Sequence, residues 1–151
     1  MMMGAGAQRK PPFSYSGTFA STLDGWTASG SAVQANDPSK SYRTNPGWVQ
    51  IVSSNGAIEY TVPKATCGGL TIAASIWHKM SGLSSTTRKL LYKIGSGSFV
   101  ELASVTDTAT SYAQMSGTFD NPGDNDVTIR VEATVSFITA VYLDDWAISG
   151  S

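Results

Sequence analysis

The chain is poor in the residues from which most metal sites and nucleophilic active sites are built. Its 151 residues include one cysteine and one histidine. A lone Cys67 excludes an internal disulfide, and one Cys with one His forms no zinc-ligand cluster. Beside Gly68 and Gly69, Cys67 is expected to be a small buried or strand-edge residue. A serine triad needs a histidine next to its nucleophile. The only histidine, His78, follows Trp77 in a strand-like run, and no Gly-x-Ser-x-Gly elbow occurs.

Charge is scarce as well. Charged residues make up 14% of the chain, and 10 basic against 11 acidic side chains leave a formal net charge of -1. That balance argues against a nucleic-acid partner bound through a broad phosphate-facing surface. No stretch approaches the ~20 apolar residues of a membrane span, so no membrane partner is expected. Met1 to Pro12 lacks the apolar core of a secretory signal, and the chain is expected to stay where it is made.

What is abundant is serine, threonine, glycine and alanine, a composition suited to short strands and tight turns. About ten β-branched or apolar runs lie between Tyr15 and Ile148, separated by turn signals such as Asn45-Pro46-Gly47 and Asn121-Pro122-Gly123-Asp124. Val127, Ile129, Val131 and Ala133 alternate with Thr128, Arg130, Glu132 and Thr134, one set for the core and one for the outside. Leu70, Ile72, Ala74 and Ile76 alternate in the same way with Thr71, Ala73, Ser75 and Trp77, which places Trp77 on an outward face. Asn55-Gly56, between the runs Trp48 to Ser53 and Ala57 to Val62, predicts a two-residue hairpin. Met80 to Arg88 reads as a long loop, and no helix is expected. The reading is an all-β fold, an antiparallel β-sandwich of the jelly-roll kind over residues 13–151. An extended N-terminal arm, residues 1–12, precedes it, rich in Gly and Pro.

Gly17-Thr18-Phe19-Ala20, Asp24-Gly25-Trp26 and Ser29-Gly30 near the start, with Val141-Tyr142-Leu143-Asp144-Asp145-Trp146-Ala147-Ile148 near the end, resemble the first and last strands of carbohydrate-binding-module jelly rolls. Such domains are also found in bacteriophage virion decoration proteins. The resemblance implies terminal strands that pair near each other. It also implies a calcium ion between a terminal-strand aspartate, matched by Asp144, and a glutamate whose place is taken by Ala20. With that hard oxygen ligand missing, no metal or cofactor is expected, and Asp144 stays a weak metal candidate.

Paired carboxylates are the remaining enzymatic signal. Asp144 and Asp145 are adjacent, so a regular strand points them to opposite faces and only a bulge would bring them together. Asp120, Asp124 and Asp126 read as turn residues bonding local backbone. No enzymatic activity is expected. Among the tryptophans, Trp26 and Trp146 belong to the bracketing motifs and are assigned to the core. Trp77 with His78, and Trp48 with Tyr42, are candidate sugar-stacking platforms.

Two functions fit. The first is a virion structural protein, a bacteriophage capsid decoration (head-stabilising) protein. It would be made in the host cytoplasm, act as a homotrimer, and bind a major capsid or other virion protein through arm residues Arg9, Lys10, Phe13 and Tyr15. The alternative is a carbohydrate-binding module whose partner is a glycan held by its surface tryptophans.

Overall fold

The computed structural model describes residues 10–36, 43, 47–82, 84–135 and 139–151. The chain forms β1 (Phe13–Gly17), β2 (Thr27–Ala35), β3 (Trp48–Val62), the single helical turn α1 (Lys64–Cys67), β4 (Thr71–Met80), β5 (Thr86–Ile94), β6 (Val100–Asp107), β7 (Ala113–Asp120), β8 (Val127–Thr134) and β9 (Ala140–Gly150). Every pairing is antiparallel. The strand order β6-β5-β8-β3-β9-β4-β7 wraps round so that its two ends, β6 and β7, approach each other. The result is an all-β jelly-roll sandwich. One layer is β7, β4 and β9, flanked by β1; the other is β6, β5 and β8.

β3 joins the layers. Its first half, Val49 to Val52, pairs with β9, whereas Gly56 to Val62 pairs with β8. β2 accompanies it along both halves, with a register shift between Gly30 and Ala32. The predicted hairpin at Asn55-Gly56 is therefore a correction. The sequence turns a corner there rather than reversing, because β2 already occupies the edge that a hairpin partner would need. Ser53 at φ 68° and Gly30 at φ 63° make the bend, and a Cβ on Gly30 would collide with the Asn55 carbonyl oxygen. The Asn55 side chain accepts a hydrogen bond from Val135 N at 2.9 Å, so the Asn-Gly pair serves a strand bulge.

Two smaller expectations also change. Pro63 starts one helical turn, with Cys67 N and Thr66 N donating to its carbonyl. β5 begins at Thr86, which shortens the predicted loop after Met80. The alternation in β4 and β8 is as read: Ile72, Ala74 and Ile76, like Ile129 and Val131, are buried, while Trp77 and Arg130 face outward.

The termini meet as the bracketing motifs require. Tyr15 lies opposite Ile148 in the β1/β9 ladder. Trp26 and Trp146 pack edge to face at 5.5 Å in the core. Asp24 Oδ2 accepts from both Trp146 Nε1 (3.0 Å) and Phe19 N (2.7 Å), tying the first loop to the last strand. Across the sandwich Tyr92 stacks on Phe119 at 3.8 Å.

Candidate functional site

The outer face of the β7-β4-β9 layer is built by strict alternation. Ile72, Ala74, Ile76, His78 and Met80 of β4 point into the core, which leaves Ala73, Ser75, Trp77 and Lys79 outside. Registered beside them are Thr118, Ser116 and Gln114 of β7 and Ser149 and Ala147 of β9. The small side chains floor a shallow concavity of about 200 Å³ lined by Ala73, Ser75, Ser116, Thr118, Ala147 and Ser149.

At the Trp77 end the floor gives way to an aromatic and charged cluster. Ile76 pairs with Trp146 but Trp77 pairs with Asp144, so Asp145 is the extra residue of a β-bulge, at φ 31°. The bulge cancels the alternation that would send the two aspartates to opposite faces. Asp144 Oδ2 accepts from Arg43 N at 3.1 Å and its Oδ1 from Asp145 N at 2.8 Å, while Asp145 Oδ2 pairs with Arg43 Nη1 at 2.7 Å. Arg43 in turn lies over Trp77, its Cζ 3.7 Å from the ring centroid. Lys79 Nζ sits 4.9 Å from the Tyr112 ring and 5.6 Å from the Tyr142 ring. Burial, and then the nearby Asp144, Asp145 and Tyr142, push the Tyr112 hydroxyl well above the ordinary tyrosine range.

Of the predicted sugar-contact residues that the structure describes, Trp77 alone is presented on this face. Trp48 is 2% exposed and packs edge to face on Tyr142 at 5.9 Å, so it offers the surface no ring face. His78 is a correction of the same kind. One residue on from Trp77 it points into the core, 1% exposed, where its Nδ1 accepts from Arg88 Nε at 3.2 Å. Arg88, itself fully buried, also donates to the Thr86 carbonyl (2.8 Å) and to Asp107 Oδ1 (2.6 Å). Burial first, and then the Arg88 cation, lower the His78 pKa to about 4. Tyr42 and Arg9 lie outside the described residues. The other arm residues have partners within the chain. Lys10 pairs with Asp124 at 3.3 Å, and Phe13 and Tyr15 are half-buried in β1, their rings 5.1 Å apart and packed on the core.

The residues that sequence reasoning missed are Arg43, Tyr112, Tyr142 and Asp145 as a unit with Trp77. The Asp-Asp pair was a visible signal, but the bulge that unites it depends on the β4/β9 register.

The residues present do not fit a calcium ion. Both Asp144 oxygens accept N–H donors, and the position of the missing glutamate is Ala20. The neighbouring Phe19 carbonyl accepts from Gln34 Nε2 at 2.9 Å. Among the described residues no group of three or more His, Cys, Asp or Glu converges. A second concavity, about 320 Å³, opens on the opposite layer beside Ser29, Asn55, Arg130 and Glu132. Its cation is already paired, with Arg130 bonding Glu59 at 2.9 Å and Glu132 at 3.1 Å.

No protein-family model matches the chain, and no curated protein matches it in sequence. Solved structures do match in fold. The CBM22-1 xylan-binding domain from Paenibacillus barcinonensis Xyn10C superposes with a TM-score of 0.70 at 15% identity, covering 95% of this chain and 97% of that one. A xylan-binding domain from CBM 22 gives 0.66 at 22% identity over 90% and 92%. TmCBM61, solved with β-1,4-galactotriose, gives 0.61 at 13% identity over 82% and 86%. At these identities the likeness establishes the fold: this chain has the jelly roll of the carbohydrate-binding modules.

Proposed function

We propose that the chain is a glycan-binding module that works through the outer face of β4, β7 and β9, without catalysis. The observation that carries the reading is the placement of Trp77. It is the tryptophan presented at the surface, at the end of an uncharged concavity floored by small residues, with Tyr112, Tyr142, Lys79, Arg43 and Asp145 around it. A pyranose ring needs this combination: an aromatic plane for its C–H face and polar groups at the rim for its hydroxyls. The fold neighbours support it, since two bear the name xylan-binding and a third was solved with a galactotriose.

Hydrolysis has little to recommend it. Asp144 and Asp145 are drawn to one arginine, so they do not face each other across a cleft as a glycosidase pair would. The virion reading, with its capsid partner and homotrimer, draws no support from the neighbours named above. Three of its arm residues are engaged within the chain, so glycan binding takes precedence over it. The test is binding of wild type and Trp77→Ala to soluble neutral β-1,4-linked glycans, xylohexaose and galactotriose among them. Loss of about tenfold or more in affinity is expected on removing the ring. Unchanged binding by the variant would move the site elsewhere.

A further inference from the structure

We propose that Arg43 is an internal competitor for the Trp77 ring, and that a glycan gains the platform only by displacing its guanidinium. The inference rests on the glycan-binding reading and specifies how that site is regulated. At 3.7 Å from the ring centroid the guanidinium is in van der Waals contact with the indole, so no sugar ring fits between them. A planar cation and the C–H face of a pyranose are alternative occupants of one surface.

The competitor is held from the side. Asp145 Oδ2 grips Nη1 at 2.7 Å, and Asp144 Oδ2 fixes the Arg43 backbone N–H at 3.1 Å. The Arg43 side chain is 34% exposed and that of Asp145 20%, so the ion pair is within reach of screening by salt. Release needs only a swing of the arginine side chain, because the Asp144 contact is to its backbone. The bulge that places Asp145 beside Arg43 thereby acquires a role. It builds the latch from two residues that a regular strand would separate.

The experiment measures the affinity of wild type, Arg43→Ala, Asp145→Asn and Trp77→Ala for xylohexaose, together with acrylamide quenching of tryptophan fluorescence. Trp26, Trp48 and Trp146 are 5%, 2% and 4% exposed, so quenching reports chiefly on Trp77. Asparagine tolerates the positive φ of position 145 and keeps the bulge intact. Arg43→Ala is expected to bind about 3- to 10-fold more tightly, the range that losing one cation–π contact allows, and to be quenched more strongly. Asp145→Asn should shift both readouts in the same direction by less. Wild-type affinity for this uncharged ligand should rise between about 0.05 M and about 0.5 M salt, a dependence that vanishes in Arg43→Ala. Weaker binding by Arg43→Ala would make the arginine a ligand contact and overturn the proposal while leaving the glycan site standing. Binding by wild type that Trp77→Ala preserves, or no binding by wild type and Arg43→Ala alike, would instead remove the glycan reading at this site.

Discussion

The two outer faces of the sandwich are made from the same kind of strand and finish differently. On the β5/β8/β3 side, charges sit in pairs: Arg130 bridges Glu59 and Glu132, Lys89 reaches Glu101 at 3.6 Å, and Thr61 bonds Thr128 at 3.0 Å. For Arg130, burial works against the charge, but the hydrogen bonds it donates to Glu59 and Glu132 outweigh it and raise its pKa. On the β7/β4/β9 side the middle of the face carries alanine, serine and threonine, with charge confined to the Trp77 end and to Asp120, which accepts from Thr71 at 2.8 Å. The Arg130 and Lys89 ion pairs lie along the middle of the first face, whereas Arg43–Asp145 marks only the Trp77 end of the second. A surface whose hydrogen bonds close on themselves supports the sheet; one floored by small groups beside an aromatic lets a flat ligand approach closely.

The comparison breaks most completely where both faces share a support. Arg88 of β5 reaches His78 of β4 and Asp107 of β6, and so joins the two layers through the core. Arg88→Ala should cost about 3–5 kcal/mol in denaturant unfolding, because it strands buried polar groups on both sides; a cost under about 1 kcal/mol would show the network to be dispensable. Acid attacks the same point. Folded His78 has a pKa of about 4 against 6.5 for the ordinary side chain, so between those values the unfolded chain takes up the proton more readily. Its contribution is fully present above about pH 6.5 and drains away as pH falls toward 4, on the order of 3 kcal/mol in all. Stability measured from pH 7 to 4 should show that slope, and His78→Gln should flatten it. A wild-type profile without the slope would mean that burial and the Arg88 cation do not hold His78 neutral in the fold.

The corner between the layers is the next most sensitive position. Gly30→Ala places a Cβ against the Asn55 carbonyl at a positive φ, and is expected to cost roughly 1–3 kcal/mol in thermal or denaturant unfolding. A neutral result would show that β2 and β3 can cross between layers without close backbone approach.

The same corner shows what the sequence made legible and what it did not. Period-two alternation in Leu70 to Trp77 and in Val127 to Thr134 identified inward and outward residues, because that signal is local. The runs on either side of Asn55-Gly56 were visible as strands too. Whether they fold back or run on depends on β2, a partner more than twenty residues away for which local sequence holds no record. The site divides in the same way. Trp77 was found by its phase. Asp145 was not, since the bulge that turns it toward Arg43 is a property of the β4/β9 register. His78 was misassigned by association with its neighbour: adjacent strand residues face apart, and the rule that freed Trp77 buried His78.

The smallest effect separates the faces most cleanly. Arg130→Ala removes both of its ion pairs, each 27% to 36% exposed, so screening limits the loss to about 1 kcal/mol or less. The site on the other layer should be untouched by it, and glycan affinity unchanged, because no bond runs from Arg130 to the Trp77 cluster. Trp77→Ala makes the reciprocal measurement, in which affinity falls and unfolding shifts little, since the ring lies on the outer face of β4 and its loss opens no core cavity. Each variant measured by both calorimetric unfolding and glycan titration therefore gives a crossed pattern. Were Arg130→Ala to weaken glycan binding as much as Trp77→Ala does, the ligand would be touching the paired face, and the division of labour between the two surfaces would have to be redrawn.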